Sequence, residues 1–355
     1  MARIESFYNL YKQNRIDICH KQLTDFFEIY FKKNKFIEHK PSPLISQCDK
    51  SVFFIGSTIS VFKQYILKRS IPSNGFFLTQ PCLRTQNVKV FKEDHITPRW
   101  SSFFTGIGTI SNINKLDHVC SCSLNFLVDI LKINEDMIKI KASSLDKDLV
   151  RYWYKNKKDH LLELDGENID YYRHRYGMEE IRGRNINFSI IQNDRSFKDI
   201  GNLIIIENSK EAMAVELTFG VATLLSRMLS LEHPIKASII SMVAPIDDTF
   251  SIKLADALST ATILLYKKIR PRASEHRGRI LREYLQSISY LRKKLGYSIN
   301  DIYKLTSQYC KVEPNIQSDY TTISKQIILY LEQYEYLKDK KNDNSKINSQ
   351  LSSLF

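Results

Sequence analysis

The chain has no apolar run approaching the roughly 18–20 residues that a membrane-spanning helix needs. Its N-terminus turns charged at Arg3 and lacks the apolar centre of a signal peptide. A cytoplasmic location is therefore expected, with the six cysteines reduced. Glycine is scarce, at 11 of 355 residues. No G-x-x-x-x-G-K-[ST] run occurs, which excludes a P-loop, and neither G-x-S-x-G nor H-E-x-x-H is present. Clustered metal-ligating residues are limited to His118-Val-Cys120-Ser-Cys122, without a second pair to complete a four-ligand zinc site, so small buried side chains are expected there. If the protein handles phosphate, it does so with side chains on a sheet.

What the chain does have is positive charge and an ordinary globular composition. Lys and Arg number 52 against 39 Asp and Glu, a net of +13, with 43% hydrophobic and 26% charged residues. That composition excludes wholesale disorder, and the length suggests two domains. The charge is concentrated. Between Lys267 and Lys294 stand ten Lys/Arg and two Glu, Glu275 and Glu283. A cluster of one sign is the electrostatic footprint of a polyanion partner, so nucleic acid is favoured over mere solubility.

Apolar positions at helical spacing (Phe7, Leu10, Tyr11, then Leu23, Phe26, Phe27, Tyr30, Phe31) predict amphipathic helices at the start. Pro41-Ser42-Pro43 then breaks helix. Five short runs read as buried strands: Val52–Ile55, Gly75–Leu78, Ser101–Phe104, Ile186–Ile191 and Leu203–Ile206. Strands dispersed among helices predict an α+β fold with an antiparallel sheet. After about residue 235 the texture turns helical, over Ile252–Leu265 and Ile280–Leu295. The expected organisation is an α+β domain over 1–235, a helical domain over 236–335, and a flexible polar tail over 336–355.

The stretch best suited to a nucleotide is Gln80-Pro-Cys-Leu-Arg84-Thr-Gln, a charged loop holding Glu93 and His95, then Arg99-Trp-Ser-Ser-Phe103-Phe104-Thr-Gly-Ile-Gly108. It reads as strand, polar loop and strand, with an arginine on each side and an aromatic pair. An arginine can hold phosphate in a fork that lysine cannot copy. The same pattern also describes an ordinary hairpin with surface arginines and core phenylalanines.

This hairpin resembles the second signature motif of class II aminoacyl-tRNA synthetases, in the form found in the alanyl-tRNA synthetase family: C-[IV]-R-[AT]-G-G, an acidic loop, then R-H-H-T-F-F-E-M-L-G. Cys82, Arg84, Glu93, Arg99, Phe103, Phe104 and Gly108 fall on matching places. Phe54-Ile-Gly-Ser-Thr-Ile-Ser-Val-Phe62-Lys63 is similar to the family's F-T-N-A-G-M-N-Q-F-K. Ala255-Asp256-Ala-Leu258-Ser-Thr260-Ala261-Thr262 resembles A-D-H-[LI]-R-T-A-T. Arg270-Pro271-Arg-Ala-Ser274-Glu275-His-Arg277-Gly278-Arg279-Ile280-Leu281-Arg282 is similar to R-P-S-N-E-G-R-G-Y-V-L-R-R with one residue inserted.

The resemblance implies a class II synthetase sheet flanked by helices and followed by a helical domain that docks the tRNA acceptor stem. It implies ATP and Mg²⁺ as cofactors, with Arg84 as the catalytic arginine. Glu93, Arg99, Phe103 and Phe104 join Arg84 in holding ATP. Glu216, Asn185, Arg184 and Arg182 border the amino acid. Asp256, Arg270, Ser274, Glu275, Arg277, Arg279 and Arg282 face tRNA, and Glu167 or Asp170 ligates the Mg²⁺.

The chain departs from that family in three places. In the third motif, D-T-G-x-G-[LF]-E-R, the Asp is Glu216 and the final Glu-Arg is Ala222-Thr223, with Arg227 one turn further on. The Glu and Trp of E-[IV]-W-N are Arg182 and Arg184. Two arginines beside a small pocket point either to an acidic substrate in place of alanine or to internal pairing, for which Glu179 and Glu180 are near in sequence. The Asn of the acceptor-stem segment is Ser274, and the family's editing and C-terminal domains have no counterpart in this sequence. Three functions stay open: an adenylate-forming ligase that charges tRNA, a binding-only paralogue that holds tRNA or a protein, and an adenylating enzyme with another acceptor.

Overall fold

A computed structural model describes residues 2–46, 52–176, 180–272, 274–318, 320–340 and 343–354. The chain opens with two helices, α1 (Ala2–Lys12) and α2 (Ile16–Lys33). The buried positions of α2 are Ile16, Cys19, Leu23, Phe27 and Phe31. Their three- and four-residue spacing lays one apolar stripe on the sheet. The next elements are β1 (Ile37–Glu38), α3 (Thr58–Leu67), β2 (Phe76–Leu83), β3 (Phe103–Asn112), α4 (Leu116–Asn125), β4 (Ile138–Ser143), α5 (Lys147–Lys155) and β5 (Leu162–Asp165). They are followed by β6 (Arg173–Arg175), β7 (Arg182–Ile191), β8 (Phe197–Glu207), β9 (Ala212–Gly220) and α6 (Val221–Met228).

The nine strands form one sheet in the order β1-β2-β3-β9-β8-β7-β4-β5, with β6 pairing on β7. The sheet is mixed. β1 runs parallel to β2 and β4 parallel to β5, while every other pairing is antiparallel. The α+β expectation holds, and the parallel pairs sit at the two ends. One expected strand is absent: Val52–Ile55 is irregular chain, with isolated backbone bonds from Ile55 N–H to the Leu44 carbonyl and from Leu83 N–H to the Ile55 carbonyl. Two isolated bonds do not make a ladder, and the chain turns at once into α3.

The back of the sheet carries a large core containing Phe27, Phe31, Phe77, Ile107, Trp153, Phe188 and Phe219, covered by α2, α4, α5 and α6. The front face is covered by α3, through Ile59, Phe62 and Ile66, against Leu78, Cys82, Ile110 and Ile204.

The second half is helical: α7 (Thr249–Tyr266), α8 (His276–Lys294), α9 (Ile299–Val312), α10 (Tyr320–Asp339) and α11 (Asn344–Leu354). Asp248 and Ser251 form a capping box that starts α7, and every residue from Ser251 to Leu265 is buried. A helix apolar on all sides is a core helix. Leu44, Phe54, Leu83, Phe91 and Phe103 of the first half share a core with Leu258, Leu281 and Tyr284, so the two halves are packed together. The expected flexible tail is instead helical. Ile347 and Leu351 of α11, one turn apart, are 1% and 0% exposed against the α7–α10 core. Burying each contributes roughly 1.5–3 kcal/mol, which outweighs the polarity of the rest of the segment. Among the described residues, no helix is long and apolar enough to cross a membrane.

Candidate active site

Side chains alternate along a strand, so parity decides which residues meet on the front face. There the end of β2 brings Cys82 and Arg84, β3 brings Phe104, β7 brings Asn185 and Asn187, β8 brings Asn202, and β9 brings Glu216 and Thr218. The register is set by pairings such as Ile110 with Glu216 and Asn187 with Asn202. Gly108 is also on this face because α3 approaches closely. A Cβ there would lie 2.9 Å from the Thr58 hydroxyl and 2.7 Å from the Leu217 carbonyl oxygen.

A cavity of about 740 Å³ opens at the end of this face and is lined by Arg84, Arg99, Phe104, His174, Thr223 and Arg227, among others. Arg84 donates from Nε to the Gly56 carbonyl at 2.9 Å, and its guanidinium lies 5.3 Å from the Phe104 ring centroid. It opens onto the cavity yet is ringed by protein, which lowers its pKa while it remains a cation. Arg227, on α6, lines the same cavity. Its Nε is buried without a partner, and Nη1 makes only long contacts to the Leu231 and Glu232 carbonyls, at 3.3 and 3.5 Å. Ala222 and Thr223, one turn earlier, are small and leave it room. His233 fixes the wall near Arg99, accepting from the Ile235 N–H and donating to the Pro98 carbonyl. Burial holds that imidazole neutral, with its pKa down to about 4.

Glu216 is 1% exposed, and its Oε1 accepts from the Thr58 hydroxyl at 2.7 Å, at the N-terminus of α3. Burial pushes its pKa up to about 7, against the pull of the Thr58 bond and of Arg84. Its acceptor capacity is thus partly used by the helix start. Asn185 donates to the Asn187 Oδ1 at 2.8 Å, and Asn202 donates to the same oxygen. Asp199 accepts from Ser189 at 2.7 Å and from Tyr171, and lies 3.6 Å from Lys141.

Several expected site residues stand elsewhere. Arg182 and Arg184 have the opposite parity from Asn185 and point to the back of the sheet. Arg184 forms a fork with Asp148, at 2.8 Å to each oxygen, and reaches Asp146 and Glu207. Arg182 pairs with Glu207 at 3.0 Å. The Asp148 bond raises the Arg184 pKa. Both charges are neutralised internally, by Glu207, Asp146 and Asp148; Glu180 is exposed, and Glu179 lies outside the described residues. Phe103 faces the shared core with the helices, and Phe104 lines the cavity together with Trp100, Tyr171 and Phe197. Glu93 is exposed on the loop, where its carbonyl accepts from Lys253 at 2.5 Å. Glu167 and Asp170 are exposed and do not meet at the cavity. Among the described residues no three acidic, His or Cys groups gather into a metal site, so the residues present do not build a resident Mg²⁺ centre. Cys120 and Cys122 are buried in α4, where burial raises both thiol pKa values, that of Cys122 to about 11.

In the helical half, Asp256 is buried at 1% exposure and accepts from Asn87 Nδ2 (2.8 Å), the Ser102 N–H (2.7 Å) and the Ser102 hydroxyl (2.9 Å). It is an internal anchor between α7 and the hairpin, out of reach of an RNA. Arg282 is likewise buried, at 7% exposure, with Nε and Nη1 unpartnered. Arg270, Ser274, Glu275 and Arg279 are exposed around the start of α8, and Arg277 donates to the Phe53 carbonyl at 3.0 Å. Gly278 lets the preceding loop lie on α8, because a Cβ there would fall 2.6 and 2.5 Å from the carbonyl oxygens of Arg270 and Arg272.

The family model described as tRNA synthetases class II (A) matches residues 22–213, more than half of the chain. The chain belongs to this class II synthetase family. Its fold is the class II synthetase-like sheet flanked by helices, with helices following it. Among solved structures it is similar to the RNA binding domain of threonyl-tRNA synthetase from Cryptosporidium parvum, at 11% identity and a TM-score of 0.43, over 60% of this chain and 63% of that one. It is also similar to Entamoeba histolytica asparaginyl-tRNA synthetase in complex with asparaginyl-adenylate (12% identity, TM-score 0.38, 63% and 66% covered). A third is apo histidyl-tRNA synthetase of Staphylococcus aureus (10%, 0.37, 61% and 70%). The chain thus spans less than two thirds of the first of these. No curated protein matches it.

Sequence reasoning missed Thr58, His174, Asn187, Asn202 and Asp199. The signal was in β7, where Asn185, Asn187 and Ser189 alternate with Ile186, Phe188 and Ile190. Polar residues at every second place of an otherwise apolar strand mark its functional face.

Proposed function

We propose that this chain is an adenylate-forming ligase that activates an amino acid with ATP and passes it to the end of a tRNA, as an alanyl-tRNA synthetase-like member of its family. The observation that carries this reading is the pair of arginines, Arg84 and Arg227, that line one cavity, one of them with a buried Nε that has no partner among the described residues. An unpartnered guanidinium nitrogen in a cavity is a receptor for an anion. In this reading Arg84 grips the α-phosphate and the substrate carboxylate. Phe104 offers a face to adenine, Arg227 takes the charge of the departing pyrophosphate in place of Thr223, and Arg99 closes the open side. The work is electrostatic: cations held in place by the fold stabilise charge as the carboxylate attacks phosphorus and pyrophosphate leaves. Mg²⁺ enters with the nucleotide. The exposed arginines around the start of α8 supply a surface for the acceptor stem.

The engagement of Glu216 with Thr58 and the loss of an arginine at Thr223 favour the binding-only reading. ATP–pyrophosphate exchange across all twenty amino acids, with Mg²⁺ and without tRNA, separates the two. Exchange with one amino acid is the expected result; silence together with no binding of ATP makes the protein a tRNA- or protein-binding paralogue. Adenylate that accumulates and is not consumed by added tRNA indicates another acceptor.

A further inference from the structure

Against the cavity, within the fields of Arg84 and Glu216, lies a group of polar atoms that make no well-formed hydrogen bond among the described residues. His174 Nε2, the Tyr176 hydroxyl and Asn185 Oδ1 are each buried with no hydrogen-bond partner. They are neighbours. His174 pairs with Gly183 across β6 and β7, the His174 and Tyr176 rings lie nearly parallel with centroids 6.3 Å apart, and the Asn185 carboxamide lies close enough to the imidazole to pull its pKa up, in a contact too poorly aligned to count as a full hydrogen bond. Gly183 closes the far side: a Cβ there would fall 2.5 Å from the Tyr176 hydroxyl and 2.8 Å from Ile204 Cγ2. His174 also lines the open cavity, so the group is continuous with it.

Leaving a buried donor or acceptor unpaired costs about 1–3 kcal/mol, and folded proteins rarely leave three together. Their chemistry narrows what completes them. All three are neutral. Burial, and then the nearby charge of Arg84, lower the His174 pKa, and burial raises that of Tyr176. An anionic partner would need a cation beyond Arg84, and the two arginines next in sequence point to the other face, paired with Asp148 and Glu207. A cationic partner would stand beside Arg84. A methyl group would leave all three unpaired.

We infer that the amino acid activated here carries a small, neutral, hydrogen-bonding side chain, a hydroxyl or a carboxamide, which Tyr176, His174 and Asn185 read. The inference rests on the activating role proposed above. A site built to bond a polar group rejects the analogue that lacks it far more strongly than an apolar slot rejects an extra hydroxyl.

The test uses matched pairs (serine with alanine, threonine with valine, asparagine with leucine) on the full chain in two measurements. One is the shift in melting temperature produced by each amino acid without ATP, which reads the pocket alone. The other is ATP–pyrophosphate exchange, which reads activation. The expected result is one hydroxyl or carboxamide member that shifts the melting temperature and exceeds its apolar partner in exchange by at least about 10²-fold. Tyr176→Phe, which removes a single oxygen, should cut that ratio by about 10-fold or more at unchanged fold. Exchange that favours an apolar member, or a ratio indifferent to Tyr176→Phe, overturns the inference, leaves activation standing and assigns the group to a buried water. A selective melting shift with no exchange for any amino acid keeps the pocket and removes the activating role. Silence in both removes both.

Discussion

The Asp256 carboxylate accepts the backbone N–H of Ser102 at 2.7 Å, joining the central helix of the second half to the residue that precedes β3. Asn87 reaches the same carboxylate from the other end of the loop that links Arg84 to Arg99. One buried acid therefore ties both ends of the loop that brings Pro98, Arg99 and Trp100 to the cavity. Asp256→Ala takes the acceptor from the Ser102 N–H and hydroxyl and leaves Asn87 Nδ2 with the Trp100 carbonyl alone, at roughly 1–3 kcal/mol for each group left unpaired. We expect a drop of several kcal/mol in urea unfolding and a raised KM for ATP, with Asp256→Asn intermediate. An unchanged denaturation midpoint in Asp256→Ala would remove this role.

Glu216 should make stability depend on pH in a defined direction. Folding raises its pKa from 4.5 to about 7, so the folded protein holds the proton more tightly than the unfolded chain does. Its contribution is complete below pH 4.5 and is lost as pH climbs through 7. Glu216→Gln keeps an oxygen for Thr58 and removes the titration. The variant should therefore gain on wild type between pH 5 and pH 8, by roughly 1–3 kcal/mol. Melting curves at the two pH values decide the matter; parallel behaviour of the two proteins would mean that Glu216 does not titrate there.

The two cavity arginines should separate by charge and by shape. Arg84→Lys keeps the charge but loses the fork, and we expect exchange to fall on the order of 10²–10³, nearly as far as in Arg84→Ala. Arg227→Ala should also lose on the order of 10², and Thr223→Arg in that background should restore most of it by moving the cation one turn back along α6. Full activity in Arg227→Ala would place the pyrophosphate elsewhere.

In the basic region, exposed and buried arginines should behave differently. Arg279→Ala, at the exposed start of α8, should lower the slope of log affinity against log salt for an acceptor-stem RNA by about 0.7–0.9. Arg282→Met should leave that slope alone and hold or raise the melting temperature, since it replaces a buried guanidinium whose Nε and Nη1 have no partner among the described residues with an apolar side chain of similar length. The reverse pattern would exchange the roles of the two residues.

Much of this was legible in the residues. The helix-forming stripe of α2, the strands around Gly75–Leu78 and Ile186–Ile191, and the long helices after residue 249 all follow from spacing. Arg84, Arg99 and Phe104 were found because they sit close in sequence on one hairpin. The errors share a cause. The resemblance to E-[IV]-W-N sets Arg182 and Arg184 beside the amino acid, yet the face of a strand is decided by parity, and theirs is that of Ile186 and Phe188. The resemblance of their segments sets Asp256 and Arg282 against tRNA, whereas α7 is buried all round and α8 along one side. His174 and Tyr176 carry no local pattern at all; they reach the site through a pairing of β6 with β7 that no spacing announces.

The rims of the sheet have a consequence for life at high concentration. The outermost strands, β1 and β5, span only two and four residues. A short outer strand offers another chain few unpaired amides and carbonyls, so the nine-stranded platform has little with which to recruit a second sheet edge to edge. The protein can be wide without being sticky.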